Sequence, residues 1–316
     1  MAQSDPQSSP PTPSPRLGFG RRLLDRWQTR YARPEPGALQ AVADLTPAVV
    51  VTGGSHGIGL ALARRFAKAG HSVALVARNL EPLQQAAAAI EADFGVKAFT
   101  IDLDVTEDDA PQVLDQRLTQ QRVYADILIN CAGIGLSGQF AGQSPERIEQ
   151  LLNLNMTALT RLMRHALPAM RARARGGILN VASLGGLTPG PCQAAYYASK
   201  AYVISLSEAV GYETRGSGVR LSVLAPGPVD TQFHPAMGTE HAFYRQLILS
   251  LSAEEAASYA YRGYVLGMRL IVPGILNMFL AVALRILPHT LMLPLIGWLL
   301  KPREERNWSV TNDNER

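Results

Sequence analysis

The sequence is poor in cysteine and in charged residues, and each shortage excludes a class of protein. Cys131 and Cys192 are the two cysteines among 316 residues, and two thiols alone form neither a disulfide framework nor a four-ligand zinc site. We therefore expect a reducing compartment, the cytoplasm. Charged residues make up 18% of the chain and hydrophobic residues 47%, which excludes a wholly disordered or collagen-like protein.

A secretory signal and a metal site are also missing from the pattern. Residues 1–15 are rich in Pro and Ser, and no basic segment followed by an apolar one precedes the rest of the chain. This argues against a cleaved signal and predicts a disordered tail. Outside the glycine-rich segment described below, the histidines lack the spacing of metal ligands, so we predict no metal site.

The apolar C-terminal segment has no charge-free run as long as a membrane-spanning helix needs. Residues 275–300 are very apolar, but Arg285 limits every charge-free run between 270 and 300 to 15 residues. A spanning helix needs about 20. Three alternatives remain for this segment: an amphipathic element seated in a membrane surface, a lid over an apolar substrate cavity, or a helix pair at a subunit interface.

The net charge of +4 is unevenly distributed along the chain. Residues 16–33 hold six Arg and one Asp, and residues 256–303 hold four Arg and one Lys without an acid. The stretch between them has 17 basic and 20 acidic residues. The middle of the chain therefore offers no basic groove, and we expect no nucleic-acid partner.

The basic N-terminal extension shows a helical pattern. Apolar residues recur every four positions beside arginines with the same spacing, as in a helix lying on an anionic membrane surface. A partly solvated extension that packs its stripe on the main domain explains the pattern equally well. The apolar residues are Leu23, Trp27 and Tyr31, and the arginines are Arg22, Arg26 and Arg30.

The main part of the chain alternates strand and helix patterns. Short β-branched apolar runs are separated by longer helical stretches such as 60–69 and 145–173, which predicts a parallel sheet covered by helices on both faces. Ser252 and Glu255 form a capping box that opens a further helix. The fold class is therefore α/β, a doubly wound parallel sheet (Rossmann fold) of about seven strands. The predicted strands are 48–52, 72–77, 97–102, 126–130, 178–182, 219–225 and 270–272.

These patterns divide the chain into four predicted parts. They are a disordered tail (1–15), a basic amphipathic extension (16–46), a Rossmann catalytic domain (47–274), and an apolar C-terminal extension with a polar tail (275–316).

A glycine-rich turn follows the first predicted strand directly. Between a strand and a helix, such a turn lets the backbone approach a pyrophosphate, which then lies at the helix N-terminus among free N–H groups. The strand–turn–helix context makes this a nucleotide-binding signal rather than a flexible turn. The segment is Thr52-Gly53-Gly54-Ser55-His56-Gly57-Ile58-Gly59.

The Gly-x-x-x-Gly-x-Gly spacing and several later motifs resemble the short-chain dehydrogenase/reductase superfamily, in its shorter-chain branch with Tyr-x-x-x-Lys. The likeness runs from about residue 48 to 229. Cys131 takes the place of the second Asn in the family's Asn-Asn-Ala-Gly turn. A finer likeness points to bacterial DltE/YqjQ-like reductases, and the overall plan to membrane-associated hydroxysteroid and 3-ketoacyl reductases. The motifs are Asn130-Cys131-Ala132-Gly133, Asn155, Ser183, Tyr196 with Lys200, Pro226-Gly227 and Thr231.

Tyr196 and Lys200 carry the predicted acid–base chemistry. They lie one helical turn apart and share a face. A phenol with a pKa near 10 is a poor acid–base catalyst at neutral pH, but a nearby ammonium group favours the phenolate. Tyr196 would then exchange a proton with a carbonyl oxygen that Ser183 holds by a hydrogen bond. The resemblance further implies that Lys200 binds the nicotinamide ribose and that Asn155 keeps a water in a proton relay.

The end of the second strand predicts the cofactor. An acidic residue there would bind the ribose hydroxyls of NAD, whereas Arg78 suits the 2′-phosphate of NADP, and His56 could add a donor. Arg78 as a solvated surface charge is the alternative. We therefore predict NADP, with NADPH favoured over NADH. The predicted cofactor-binding residues are Gly53, Ser55, His56, Gly57, Ile58, Gly59, Arg78, Asp104, Asn130, Ala132, Gly133, Tyr196, Lys200, Pro226, Gly227, Val229 and Thr231.

The sequence thus predicts an NADP(H)-dependent enzyme that interconverts a lipophilic ketone or aldehyde and its alcohol. Residues 228–262 would form the substrate loop and helix, with Met237, Phe243 and Tyr244 among the pocket residues. The resemblance implies a homodimer or homotetramer, and charge suggests peripheral membrane contact through 17–31 and 275–300. A second hypothesis is an NADPH-binding, membrane-docked sensor without turnover. A third, a nucleotide-sugar epimerase or dehydratase, lacks its Gly-x-x-Gly-x-x-Gly motif and larger C-terminal domain here.

Overall fold

The structure is a computed structural model that describes residues 32–233, residue 237 and residues 250–300. The predicted tail 1–15, the arginine-flanked stripe at 17–31, the pocket residues Phe243 and Tyr244, and the polar end 301–316 lie outside these ranges.

Nine strands form in the described part of the chain, and seven of them build one sheet. Each main strand is a β-branched or Leu-rich run whose side chains are buried on both faces, as expected for a parallel sheet between helices. The strands are β1 (Thr46–Thr52), β2 (Ser72–Ala77), β3 (Ala98–Asp102), β4 (Val123–Asn130), β5 (Gly176–Val181), β6 (Val219–Leu224), β7 (Val229–Asp230), β8 (Leu251–Ser252) and β9 (Leu270–Ile271).

The sheet order is β3-β2-β1-β4-β5-β6-β9, and all of its pairs are parallel. β1 lies between β2 and β4, with Thr52 aligned to Val76 on one side and to Asn130 on the other. The chain therefore reverses its direction of winding between β1 and β4, and a crevice opens at the carboxyl ends of these strands. The prediction of a doubly wound parallel sheet is confirmed. The short parallel pair of β7 and β8 was not predicted.

Helices cover both faces of the sheet. One face packs on α1, α2 and α7, where the rings of Phe66 and Tyr261 meet edge to face at 5.0 Å. The other face packs on α3, α5 and α6. The helices are α1 (Gly57–Ala67), α2 (Leu80–Phe94), α3 (Ala110–Gln120), α4 (Pro145–Leu152), α5 (Leu159–Ala172), α6 (Ala194–Glu213), α7 (Ala253–Val265), α8 (Ile275–Ile286) and α9 (His289–Leu300).

Two predicted helices differ from what the structure contains. The first helix begins at Gly57 instead of residue 60, because the glycine-rich turn itself supplies the first helical residues. The long stretch 145–173 is interrupted by a π-helical segment, Asn153–Ala158, between α4 and α5. The capping box of Ser252 and Glu255 is present at the start of α7 as predicted.

The apolar segment 275–300 folds as two short helices. α8 and α9 have 12 residues each, with Leu287 and Pro288 between them. Within the described ranges, no helix combines the length and the apolar character needed to cross a membrane. The buried side chains Leu284, Ile296 and Leu300 pack with Leu187 and Tyr197, so the helix pair lies beside the carboxyl end of the sheet.

Candidate active site

A cavity of about 960 Å³ opens at the carboxyl ends of the central strands. It lies where β1 and β4 part, which is the usual ligand position in open parallel sheets. Its walls include the glycine-rich turn after β1, the turn after β4, the end of β5 and the start of α6. Of the predicted site residues, all line this cavity except Asn130 and Asn155.

The glycine-rich turn after β1 is packed too closely against neighbouring backbone to accept side chains at two of its glycines. Gly53 has a left-handed φ of +67°, and its N–H donates to the carbonyl of Val76 at 2.8 Å. A Cβ atom at Gly59 would overlap the carbonyl oxygen of Gly53, so only glycine allows α1 to start this close to β1. The N-terminus of α1 therefore faces the cavity with free N–H groups, which suits a pyrophosphate.

Thr52 connects this turn to the turn after β4. Its Oγ1 accepts hydrogen bonds from the N–H groups of Cys131 and Ala132, at 3.1 and 3.2 Å. A Cβ atom at Gly53 would come within 3.0 Å of the Ala132 Cα, so the two turns are in direct contact. Cys131 stands where the family pattern has an Asn. In this protein the Thr52 hydroxyl binds the backbone of the turn at Cys131 and Ala132. Burial raises the pKa of the Cys131 thiol to about 12, against the pull of the Lys200 charge.

Arg78 and Asp104 lie at one end of the cavity, beyond β2 and β3. The Arg78 side chain is 77% exposed, and its Nη1 lies 3.9 Å from the Asp104 carboxylate. Burial alone would raise the pKa of Asp104, but hydrogen bonds from Thr106 and the charge of Arg78 together hold that pKa below its usual range. The Arg78 guanidinium therefore lies exposed at the cavity rim and forms a long ion pair with Asp104.

The side chain of Asn130, a predicted cofactor-binding residue, bonds to its neighbours in the core. Its Nδ2 donates to Asn180 Oδ1 at 2.8 Å, and Asn180 Nδ2 donates to Ser207 Oγ at 2.8 Å. These three buried side chains connect β4, β5 and α6. Asn130 therefore supports the turn that reaches the cavity, and does not line the cavity itself.

The π-helical segment places Asn155. Its amide exchanges two hydrogen bonds with the backbone of Ile134, at 2.9 and 3.0 Å, and donates to Ser199 at 3.1 Å. A Cβ atom at Gly133 would lie 3.1 Å from Asn155 Oδ1 and 3.4 Å from Lys200 Nζ, so both side chains approach the same glycine. Asn155 is buried behind the cavity wall, next to Lys200. π-bulges of this kind occur frequently at functional sites.

Lys200 is a buried ammonium group at the centre of the site. It is 7% exposed, and its Nζ donates to the carbonyl of Val181 at 3.1 Å. Burial lowers the pKa of Lys200 from 10.5 to about 8, with Cys131 opposing the change. Lys200 therefore still carries its proton at neutral pH, but holds it more weakly than an exposed lysine.

Tyr196 and Ser183 share the cavity with Lys200. The Tyr196 ring lies 5.8 Å from Lys200 Nζ and 5.6 Å from the ring of Phe233. Ser183 follows β5 in extended conformation, and its Oγ accepts from the Gly185 N–H at 3.1 Å. A hydroxyl that already accepts one bond keeps its proton available for a carbonyl oxygen. Three groups that could bind or protonate such an oxygen therefore face one space.

The turn after β6 closes the cavity on the opposite side. Pro226, Gly227, Val229 and Thr231 all line it. A Cβ atom at Gly227 would come within about 3 Å of the Asn277 side chain, so this turn touches the start of α8. Asn277 is buried and donates to the carbonyl of Pro273 at 2.8 Å.

The part of the cavity wall beside Met237 and the helices α8 and α9 is apolar, and most of its residues were not predicted from the sequence. Met237 lines the cavity as predicted, and Ser137 donates to the Met237 carbonyl at 2.7 Å. The helix pair supplies much of the remaining wall, so the lid alternative for 275–300 agrees with the structure. The apolar signal of this segment was visible in the sequence, but its position over the site was not. The wall residues are Leu280, Leu284, Met292, Leu295, Ile296, Leu299 and Leu300.

Comparison with known proteins agrees with this arrangement. The family model of short chain dehydrogenases matches residues 47–241, which is more than half of the chain. Ketoacyl reductase HetN of Nostoc sp. is 38% identical over 181 residues, covering 57% of this chain and 63% of that protein. The 17-beta-hydroxysteroid dehydrogenase type 3 of Danio rerio is 35% identical over 188 residues, covering 58% and 60%. The matched segment thus spans somewhat less than two thirds of these relatives.

A solved structure shows the same likeness over a larger share of the chain. The short-chain dehydrogenase from Sphingobium yanoikuyae in complex with NADPH superposes with a TM-score of 0.66 at 29% identity. The match covers 85% of this chain and 98% of that one.

Proposed function

This chain belongs to the short-chain dehydrogenase family, and we propose that it is an oxidoreductase, an NADP(H)-dependent reductase of lipophilic ketones or aldehydes. The observation that carries the proposal is the convergence of Ser183, Tyr196 and Lys200 on one cavity with the glycine-rich turn at its other end. The finer likeness to DltE/YqjQ-like reductases stays a prediction.

The residues present fit a nicotinamide dinucleotide. The glycine-rich turn and the N-terminus of α1 line the cavity, with Gly57, Ile58 and Gly59 on its wall, which suits a pyrophosphate at this helix end. Asp104 and Arg78 lie on the adenosine side of this turn, and Tyr196 and Lys200 lie on the nicotinamide side. When bound, the cofactor supplies a hydride to the substrate carbonyl carbon, or takes one from the alcohol.

Tyr196 is the proton donor in this proposal. As the carbonyl carbon is reduced, its oxygen gains negative charge, and the Tyr196 hydroxyl transfers its proton to that oxygen. Ser183 donates a hydrogen bond to the same oxygen and fixes its position. In the alcohol-oxidising direction, the Tyr196 phenolate removes the proton.

Lys200 makes this proton transfer easier. Its positive charge next to Tyr196 stabilises the phenolate that remains after transfer. Since the pKa of Lys200 is lowered to about 8, the charge is present at neutral pH and is lost in the alkaline range. Asn155 lies next to Lys200, since both side chains approach the position of a Cβ on Gly133, and we propose the relay in which Asn155 keeps a water that returns a proton to Lys200.

We propose NADPH over NADH on the character of Arg78. No acidic residue stands at the end of β2, where the ribose hydroxyls of NAD would be bound. Among the residues that the structure describes, the exposed guanidinium of Arg78 pairs with Asp104 at 3.9 Å, which leaves it able to reach a 2′-phosphate. His56, at the tip of the glycine-rich turn, can add a donor. NADPH is present in the Sphingobium relative, which supports the choice.

The lipophilic substrate class follows from the cavity wall. The helix pair and the segment around Phe233 and Met237 present aliphatic and aromatic side chains to the space beside Tyr196. Two of the relatives are named for apolar compounds, as a ketoacyl reductase and a hydroxysteroid dehydrogenase. Transfer of an apolar ketone from water into such a space is favourable, because its apolar surface is removed from water and contacts the apolar wall.

The experiment that tests the proposal is NADPH oxidation across ketones and aldehydes of graded chain length and bulk. We expect kcat/KM to rise with lipophilicity and NADPH to be preferred over NADH. NADPH binding without consumption of any substrate would favour the second hypothesis, a sensor or scaffold. That hypothesis has less support, because Ser183, Tyr196 and Lys200 are all kept and all face the cavity.

Assembly and location remain proposals that follow from the family. We propose a homodimer or homotetramer that pairs through α4–α5 and α6, as the resemblance implies, and a cytoplasmic protein on the basis of its low cysteine content. Equilibrium sedimentation of the full chain tests the assembly.

A further inference from the structure

The outer face of α8 is apolar where a surface helix is normally polar. Ile275, Leu276, Phe279 and Ile286 are 63–74% exposed, and Met278 and Val282 are more than half exposed. Arg285 is the only charged residue of this helix, and its guanidinium lies 3.2 Å from Glu208. Single exposed apolar residues are ordinary, but a contiguous face of this kind indicates an interaction surface.

The second helix continues this surface. On α9, Leu291, Leu295 and Trp298 are 51–69% exposed. Trp and Phe side chains on such a face are typical of elements that lie at the boundary between lipid and water. Each helix has 12 residues, or about 18 Å, which is too short to span a bilayer but sufficient to lie in its surface.

The opposite face of the same two helices forms the wall of the active-site cavity. Leu284, Ile296 and Leu300 are buried and pack beside Tyr197, the neighbour of Tyr196. Leu295 lines the cavity and is also 51% exposed, so it lies at the rim between the two faces. The helix pair therefore separates the space next to Tyr196 from whatever covers its outer face.

The charge of the surrounding sequence favours one occupant, an anionic surface. Residues 256–316 hold seven basic and four acidic residues, and Lys301 and Arg303 follow α9 directly, before Glu304 and Glu305. An anionic lipid surface would attract the excess of basic residues in this part of the chain. A twofold contact with a second copy would instead bring the basic flanks of both copies together, at an electrostatic cost.

We propose that α8 and α9 form a membrane-seated cap, whose outer face inserts into the surface of an anionic bilayer while its inner face closes the substrate end of the cavity. A lipophilic substrate then passes from the bilayer past the rim at Leu295 to Tyr196 without crossing water. The substrate route rests on the proposed function, whereas the membrane contact does not.

Flotation of the full-length protein with lipid vesicles tests the membrane contact. The vesicles contain phosphatidylcholine alone or phosphatidylcholine with phosphatidylglycerol. We expect the protein to float with the anionic vesicles, and about tenfold less protein to float with the neutral ones. The double variant Phe279→Asp/Ile286→Asp carries charge into the proposed inserted face and is expected to stay at the bottom of the gradient.

A matched control separates the helix pair from exposed apolar residues in general. Phe140 is 60% exposed, compared with 70% for Phe279, and lies in a short 3₁₀ turn outside the cavity wall. Phe140→Asp is expected to float as the wild type does. NADPH binding, followed by fluorescence, checks that every variant is folded.

A substrate assay tests the route through the cap. The double variant is expected to reduce a small water-soluble ketone as the wild type does, but to lose about tenfold in rate on a lipophilic ketone supplied in anionic vesicles. Equal loss on both substrates would place the defect in the site and overturn the route. Flotation needs no turnover, so failure of the reductase proposal and failure of the membrane contact are distinguishable.

Three flotation results would overturn the proposal. The wild type could fail to float while the double variant sediments as a smaller species, which would make the face a subunit interface. The wild type could fail to float while the double variant has the same size in solution, which would leave no lipid contact at this face. The double variant could float as well as the wild type, which would assign the lipid contact to another part of the chain.

Discussion

Lys200 Nζ lies 5.8 Å from the centre of the Tyr196 ring, one turn further along α6, and donates its hydrogen bond to the Val181 carbonyl at the end of β5. Within the described ranges, this buried ammonium group has no carboxylate partner, and it lies beside the phenol of Tyr196. Burying a charge in this way lowers the stability of the folded protein. The protein keeps the charge because it acts on Tyr196.

The first prediction is that Lys200→Met stabilises the cofactor-free protein at neutral pH while abolishing turnover. Below pH 8 the ammonium is charged in both folded and unfolded chains, so the folded protein bears its full burial cost. The difference between 10.5 and about 8 corresponds to about 3 kcal/mol, which is an upper bound on the gain.

The sign of the pH dependence provides the check. Between pH 8 and 10.5 the folded protein releases the Lys200 proton before the unfolded chain does, so the burial cost decreases as the pH rises. The stability advantage of Lys200→Met, measured by urea denaturation, should therefore shrink over this interval and be gone above it. Lys68→Met, at an exposed site on the same protein, serves as the control. A constant advantage at all pH values would contradict the account.

The second prediction concerns Arg78. Arg78→Ala is expected to raise the KM for NADPH by about tenfold to a hundredfold and to leave the KM for NADH nearly unchanged, because a charge-assisted bond to the 2′-phosphate is lost. Steady-state kinetics with both cofactors measures this. Arg122→Ala, which breaks the exposed ion pair to Asp44 before β4, should alter neither value. Equal losses with both cofactors would mean that Arg78 does not select NADPH.

The third prediction tests the wall that α8 provides. Leu284 is buried and lines the cavity, whereas Val282, two residues earlier, is 56% exposed. Leu284→Trp should lower kcat/KM for bulky ketones by about tenfold or more and leave small ketones almost unaffected. Val282→Trp adds the same bulk on the outer face, and it should keep the wild-type profile toward soluble ketones. An unchanged profile for Leu284→Trp would place the substrate elsewhere.

Local spacing explains why much of the site was predictable. The glycine-rich turn needs only the neighbouring strand and helix, and Tyr196 and Lys200 need only one helical turn between them. Each signal is contained in a short stretch of sequence, and the structure brings these stretches to the same cavity. The strands were predictable for a related reason, since their β-branched runs are buried on both faces.

Long-range packing explains what the sequence did not reveal. The hydrogen bond between Asn130 and Asn180 depends on the register of β4 and β5, which no local pattern specifies. The π-helical segment at Asn155 looks like ordinary helix in the sequence, and its bonds to the distant backbone of Ile134 appear only in the structure. The position of α8 and α9 over the cavity likewise depends on packing against Leu187 and Tyr197.

The most direct test of the account is NADPH oxidation by Tyr196→Phe with the best ketone found for the wild type. The phenylalanine variant keeps the ring that packs on Phe233 but has no proton to donate. We expect kcat to fall by about 10² to 10⁴ while NADPH binding is retained. Tyr202 lies on the same helix as Tyr196, and Tyr202→Phe removes a hydroxyl that shares a hydrogen bond with Thr160 of α5, so this variant should keep near-normal kcat. Wild-type turnover in Tyr196→Phe would contradict the assignment of Tyr196 as the proton donor.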